Sequence, residues 1–185
     1  MSQTLSLPRA RNPISRYSFA GLPLALLLVS GCMAKESEML GAPVEGYNHT
    51  SAAINRFTVN GAGGPNLGPY GGGGGQVCCG TVPRHWRPGL RAIVEWEKDP
   101  NPGASVGWPT HGTDGWREAY KKHAANYTRH RVVVEIPQYQ EAGTLKVHFL
   151  PCNQVRVSAD NIFYGVSGYP YNFPRKMEDT ECPKP

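Results

Sequence analysis

Leu90-Arg91-Ala92-Ile93-Val94-Glu95-Trp96-Glu97-Lys98 alternates Ala92, Val94 and Trp96 against Arg91, Glu95 and Glu97. A period of two puts one set of side chains on a core and the other in water, as in a half-buried β-strand. The same alternation recurs on both sides of it. Upstream, Phe57 and Val59 alternate with Arg56, Thr58 and Asn60, predicting a strand over Ile54 to Asn60, and Gln76-Val77-Cys78-Cys79 reads as another. Downstream, Val132, Val134 and Ile136 face one way in His130 to Ile136, ended by Pro137. Thr144 to Leu150 and Gln154 to Ala159 flank Pro151-Cys152-Asn153 as a hairpin, with Leu145, Val147, Phe149, Val155 and Val157 inward. Short strands with turn signals between them and few helices predict an all-β fold, an antiparallel β-sandwich of immunoglobulin-like or related type. No internal repeat is visible.

Between the third and fourth of these strands lies Asp99 to Arg129, opening on Pro100, Asn101, Pro102 and Gly103. Trp116, Tyr120, Ala124 and Tyr127 follow at helical spacing, predicting one short inserted helix over Gly115 to Ala125 with Asp114 as N-cap. Gly61 to Gly75 is glycine-rich and ends in the run Gly71 to Gly75. A phosphate-cradling loop would need a helix and a lysine after it, and strand residues follow instead. The tract is a flexible loop, the commoner case, or it allows close backbone approach to another strand or a partner. Gly165 to Pro185, rich in Tyr, Pro and charge, is expected to pack as an irregular extended segment.

The N-terminus carries an address. Arg9, Arg11 and Arg16 precede an apolar run from Phe19 to Val29, which is too short to span a bilayer and closes on Val29-Ser30-Gly31-Cys32. This is a lipoprotein signal peptide over 1–31 with a lipobox. Cleavage leaves Cys32 to take the acyl chains that anchor the protein to a membrane. Met33 stands where an aspartate would favour inner-membrane retention, so the expected location is the outer membrane, facing the periplasm. Residues 32–46, with little periodicity, read as a lipidated tether, and 47–185 as the sandwich domain. The net charge of +5 falls to +2 without the three leader arginines, which argues against a nucleic-acid partner. In an oxidising compartment Cys78, Cys79, Cys152 and Cys182 are disulfide candidates. A vicinal bond is strained, so the two pairings that cross from Cys78 and Cys79 to Cys152 and Cys182 are preferred.

Catalytic signatures are thin. Ser167 in Gly165-Val166-Ser167-Gly168 lacks the nucleophile-elbow order. The six histidines contain no zinc-binding spacing, and Cys78-Cys79 lacks the two-residue gap of a thioredoxin-like pair. Asp114 and Glu118, among Arg117, Lys121 and Lys122, read as a solvated helix face. No catalytic residue, metal ligand or cofactor is assigned, and the chain reads as a non-enzyme. A polar cluster would need the fold to unite His49, His85 and Glu135. Recognition is better represented, because Trp, Tyr and Arg dominate binding hot spots. The candidate partner-binding residues are Trp108, Trp116, Arg117 and Tyr120 in the insertion and Tyr169 and Tyr171 in the tail. Trp86 is a further candidate, and for both Trp86 and Trp116 the alternative is packing back onto the sheet.

Several motifs occur in order: Gly46-Tyr47-Asn48-His49-Thr50, Gly71 to Gly75 running into Cys78-Cys79, Pro83-Arg84-His85-Trp86-Arg87-Pro88-Gly89-Leu90, Val94-Glu95-Trp96, Val134-Glu135-Ile136-Pro137-Gln138-Tyr139 and Val147-His148-Phe149-Leu150-Pro151. Together they resemble the proteobacterial lipoproteins grouped as domain of unknown function 3304, over residues 46 to about 160. That family has no established catalytic activity. Its frequent neighbourhood with type VI secretion spike proteins and phospholipase toxins implies an immunity protein that binds and inhibits such a toxin. The alternative is a structural lipoprotein of an envelope or secretion complex. The resemblance further implies that Asn48, His49, Trp86 and Arg87 hold the fold; the Asp99 to Arg129 insertion and the tail beyond Ala159 depart from it, and the insertion is expected to set which toxin is recognised.

Overall fold

A computed structural model of the protein describes residues 37–177. The expected signal peptide over 1–31, Cys32 and Cys182 lie outside the described residues. Eight strands form two four-stranded sheets. The first sheet has the order β4 (Gly72–Pro83), β1 (Met39–Asn48), β7 (Ala142–Leu150), β8 (Gln154–Asp160). The second has the order β3 (Ala62–Gly63), β2 (Ala53–Val59), β5 (Arg91–Asp99), β6 (Thr128–Glu135). Their inward residues build one core, in which Phe57 and Trp96 of the second sheet meet Phe149 of the first with ring centroids 5.1 and 5.8 Å apart.

The strands read from alternation are present. Ala92, Val94 and Trp96 are buried while Arg91, Ile93 and Glu95 are exposed. β7 and β8 pair antiparallel around the Pro151–Asn153 turn, where Cys152 and Asn153 take positive φ. On the outer face of the second sheet, cross-strand ion pairs join Arg56 and Arg129 to Glu97, Arg131 to Glu95 and Arg91 to Glu135.

Several expectations are corrected. Met39–Gly46, read as tether, belongs to β1, which lies between β4 and β7. Pro43 stands where the β1–β4 register shifts between Ala42 and Val44, a bulge that tolerates its missing N–H. The fold is not purely antiparallel either, since β1 pairs parallel with β7 from Val44 to Asn48.

The glycine run Gly72 to Gly75 is strand. A Cβ on Gly72, where φ is +123°, would lie 2.1 Å from the Gly46 carbonyl oxygen. Only glycine lets the two backbones meet there. Finally, Cys78 and Cys79 sit on the exposed part of β4 with their sulfurs against each other, and neither pairs with Cys152. β4 and the β7–β8 turn lie toward opposite edges of the sheet, roughly 10 Å or more apart at the spacing of neighbouring strands, beyond disulfide reach.

The helix α1 spans Asp114–Ala124 as expected, with a different cap. Thr113 is the N-cap, its hydroxyl accepting from the Trp116 N–H at 3.3 Å, and Asp114 falls in the first turn. Asp114 pairs with Arg117 and Glu118 with Lys122 on a solvated face.

Asn48 ties the end of β1 to two loops. Its Nδ2 donates to the carbonyls of Ala52 and Gly68, and its Oδ1 accepts from the Thr50 N–H and hydroxyl. Two substitutions in the glycine run separate close approach from flexibility. Gly72→Ala is expected to lower Tm by roughly 5–10 °C through its clash. Gly74→Ala, whose Cβ would meet nothing within 4 Å, is expected to shift Tm by no more than about 2 °C. Thermal unfolding of both variants by circular dichroism checks the contrast.

Candidate functional site

Alternation in the first sheet sends Glu45 and Tyr47 of β1, Lys146 and His148 of β7, and Arg156, Ser158 and Asp160 of β8 away from the shared core. Such residues ordinarily meet water. Here the segment 161–177, without regular structure, crosses this face and buries it: His148 is 0% exposed and Lys146 2%. Buried polar groups of this kind need partners, and the tail supplies them.

His49 Nδ1 lies 2.7 Å from the Pro174 carbonyl, and His49 Nε2 lies 2.9 Å from His148 Nδ1. His148 Nε2 meets the Tyr169 hydroxyl at 2.6 Å, and Ser158 Oγ donates to that hydroxyl at 3.0 Å. A carbonyl only accepts, so His49 carries its proton on Nδ1 and its Nε2 accepts from His148 Nδ1–H. His148 Nε2 then accepts from Tyr169. Each hydrogen bond of the row then has one direction, and both rings are neutral.

Burial, with His49 and Lys146 disfavouring a further positive charge beside them, drives the His148 pKa down to about 3, and burial lowers that of His49 as well. Burial raises the phenols of Tyr47 and Tyr169, and pushes Tyr171 up to about 12. Lys146, lowered by its burial, donates to the Asp160 carbonyl at 2.6 Å and lies 5.5 Å from the Tyr169 ring centroid. Tyr47 stacks on His148 at 4.8 Å. The Tyr171 hydroxyl donates to the Val157 carbonyl, and the Met177 N–H to the His49 carbonyl.

This histidine row resembles a proton relay in its connectivity, yet it ends in a backbone carbonyl and lies under the tail. It serves as a strap. Tyr169 and Tyr171, partner-binding candidates in the sequence, are half-buried here, with their hydroxyls engaged inside the layer. His49 pairs with His148 and not with His85 or Glu135; His85 is exposed in a loop, and Glu135 is paired with Arg91 on the second sheet. Trp86 packs against the core and donates Nε1–H to the Ile136 carbonyl at 3.0 Å. Among the described residues, no group of three or more His, Cys, Asp or Glu side chains is placed to hold a metal ion.

The insertion candidates do come together. Trp108 meets Trp116 edge-on at 6.5 Å, and Trp116 stacks on Tyr120 at 5.4 Å with 10° between ring planes. His111 lies 4.4 Å from Trp116, and Arg117 is exposed beside them. α1 has no buried residue. The cluster is tied to the sheet by His123 Nε2, 2.9 Å from Asp99 Oδ2 at the end of β5, with the His123 ring against Trp108. The spacing of Trp116 and Tyr120 was legible in the sequence. Tyr47, Lys146, His148 and Ser158 were missed, because their alternation reads as an ordinary wet face. The signal that could have found them is the matching density of aromatic residues in the tail.

The histidine row has a testable linkage. Folded His148 titrates near 3 and an unfolded histidine near 6.5, so the unfolded chain takes up a proton that the folded chain does not. Stability is then complete above about pH 6.5 and falls on acidification by about 1.4 kcal/mol per pH unit from this group alone. Urea unfolding between about pH 7 and 5 is expected to show this slope, and His148→Phe to lose about one proton's worth of it, at a lower starting stability.

No curated protein and no solved structure matches the chain. The family model described as "Protein of unknown function (DUF3304)" matches residues 47–157, which run from Tyr47 on the strapped face through the glycine run, the insertion and β7 into β8. The match covers more than half of the chain and takes in His49, His148 and the insertion but not the tail that straps them, and by it the protein belongs to the DUF3304 family.

Proposed function

We propose that this protein is a lipid-anchored periplasmic immunity protein that binds a type VI secretion phospholipase toxin and inhibits it by covering its active cleft. The observation that carries this reading is the insertion. An 11-residue helix is marginal by itself, and this one contributes no buried residue to the fold. It nevertheless presents Trp108, Trp116, Tyr120 and Arg117 as one cluster, the residue types in which binding energy concentrates.

Occlusion needs no reacting group, only a rigid patch held against a cleft. In this reading the two sheets act as an immunoglobulin-like frame whose loops and insertions carry recognition. A lipid on Cys32 would keep the inhibitor at the surface where a phospholipase acts.

The test mixes the mature domain, carrying Cys32→Ser, with the phospholipase toxin encoded nearest to it, and measures complex formation and residual lipase activity. Tight binding with loss of activity is expected. Trp116→Ala and Trp108→Ala are each expected to weaken inhibition by about tenfold or more, equivalent to about 1.4 kcal/mol, with Tm unchanged. Undiminished protection by both variants would remove the insertion from the interface. Absence of binding, with copurification in a membrane complex, would assign the protein to envelope assembly instead.

A further inference from the structure

The tail that straps the first sheet returns to the end of that sheet where β7 turns into β8. The Met177 N–H donates to the His49 carbonyl at 2.8 Å, and the His49 N–H donates to the Phe149 carbonyl at 2.9 Å. Cys152 follows Phe149 by three residues, in the turn where it takes positive φ. Its sulfur is disulfide-bonded. The partner is neither Cys78 nor Cys79, which meet each other on β4, on the far side of β1 and out of reach across the sheet. Of the five cysteines, Cys32 and Cys182 are left.

Chain length decides between them. β1 runs parallel to β7 with Asn48 beside Phe149, so Met39, nine residues back along β1, lies roughly 30 Å from Phe149 at the rise of a strand. Cys152 is further still, because its turn projects beyond Phe149. Cys32 precedes Met39 by seven residues, which span at most about 25 Å fully extended and fall short. The other end of the chain is close. Met177 stands two hydrogen-bonded backbone spacings from Phe149, roughly 10 Å. Cys182 follows Met177 by five residues, a reach of up to about 17 Å.

We infer that Cys152 is bonded to Cys182, and that this bond fastens the tail over the histidine row. It is the pairing that leaves Cys78 and Cys79 to each other. The chain then closes on itself from Cys152 through β8 and the strap, so the cover over His148 and Lys146 tightens on oxidation. The bond forms by exchange with a protein disulfide donor of an oxidising compartment. Cys152 and Cys182 each give up a proton and their sulfurs join, while the donor's S–S bond takes the two electrons and becomes two thiols. In the reduced chain the strap is held by hydrogen bonds and ring contacts alone. The inference goes beyond the toxin reading and does not depend on it.

The full chain, purified in mild detergent from an oxidising compartment and alkylated to trap free thiols, is cut with trypsin without reduction and mapped by mass spectrometry. The expected map links Val147–Arg156 to Met177–Pro185, with Cys78 and Cys79 together inside Phe57–Arg84. Hydrogen exchange over residues 161–176 is the second readout. Reduction, Cys152→Ser and Cys182→Ser are each expected to speed it by about tenfold or more. The double variant should go no further than either single one, as for two ends of one bond. A chain ending at Met177 keeps the described strap contacts and should match Cys182→Ser. An alkylated Cys152, or a link from Val147–Arg156 to Phe57–Arg84 or to the peptide carrying Cys32, would overturn the pairing. So would a link between two chains in a mixture of isotope-labelled and unlabelled protein. A mapped bond whose removal leaves exchange in the tail unchanged would overturn its role as the fastener.

Discussion

The Pro174 carbonyl accepts from His49, and that contact orients each proton in the row running through His148 and Tyr169. The fold depends on this arrangement because its first sheet is buried on both faces. β1 and β7 are central, and the second half of each is closed to solvent residue after residue. One face meets an apolar core; the other carries Tyr47, Lys146, His148 and Ser158. Leaving such groups without partners under a covering segment would cost about 1–3 kcal/mol each. The tail is thus an obligate layer despite its lack of regular structure, and its tyrosine hydroxyls return hydrogen bonds that water would otherwise make.

This double burial explains what could be read from the sequence. β5 announces itself because one face is wet and the other dry, so Ala92, Val94 and Trp96 stand against Arg91 and Glu95. The β7–β8 hairpin is equally legible, through Pro151-Cys152-Asn153. β1 hides because its outer residues are polar yet buried, because Gly46 and Gly41 dilute its apolar signal, and because Pro43 at a bulge looks like a break. The glycine run misleads in the opposite direction. Flexibility is the ordinary meaning of five consecutive glycines, whereas here Gly72 meets the Gly46 carbonyl in a paired strand. The parallel β1–β7 pairing joins segments about a hundred residues apart, a relation that local periodicity does not encode.

The candidate sites divide along the same line. Trp116 and Tyr120 are four apart on a helix, so their stacking follows from spacing, and Trp108 reaches them through a short loop. Tyr169 and Tyr171 share the hot-spot composition, and like Trp108 and Trp116 they are half-buried, but the strapped face engages their hydroxyls. Composition alone does not separate an aromatic residue that recognises a partner from one that seals a layer; the hydrogen-bond partner of its polar end does. The insertion has few such internal obligations beyond the Thr113 cap and the His123–Asp99 tie, which leaves its rings available.

Central to this account is a division between a strapped frame and an insertion that binds. Hydrogen exchange with mass-spectrometric readout, on the domain alone and with its phospholipase toxin, tests it directly. The account predicts new protection across residues 104–127, with amides of β7 and of the tail from Tyr164 to Arg175 unchanged. Altered exchange in the tail layer with the insertion untouched would contradict it, and would make the histidine row the working part of the molecule.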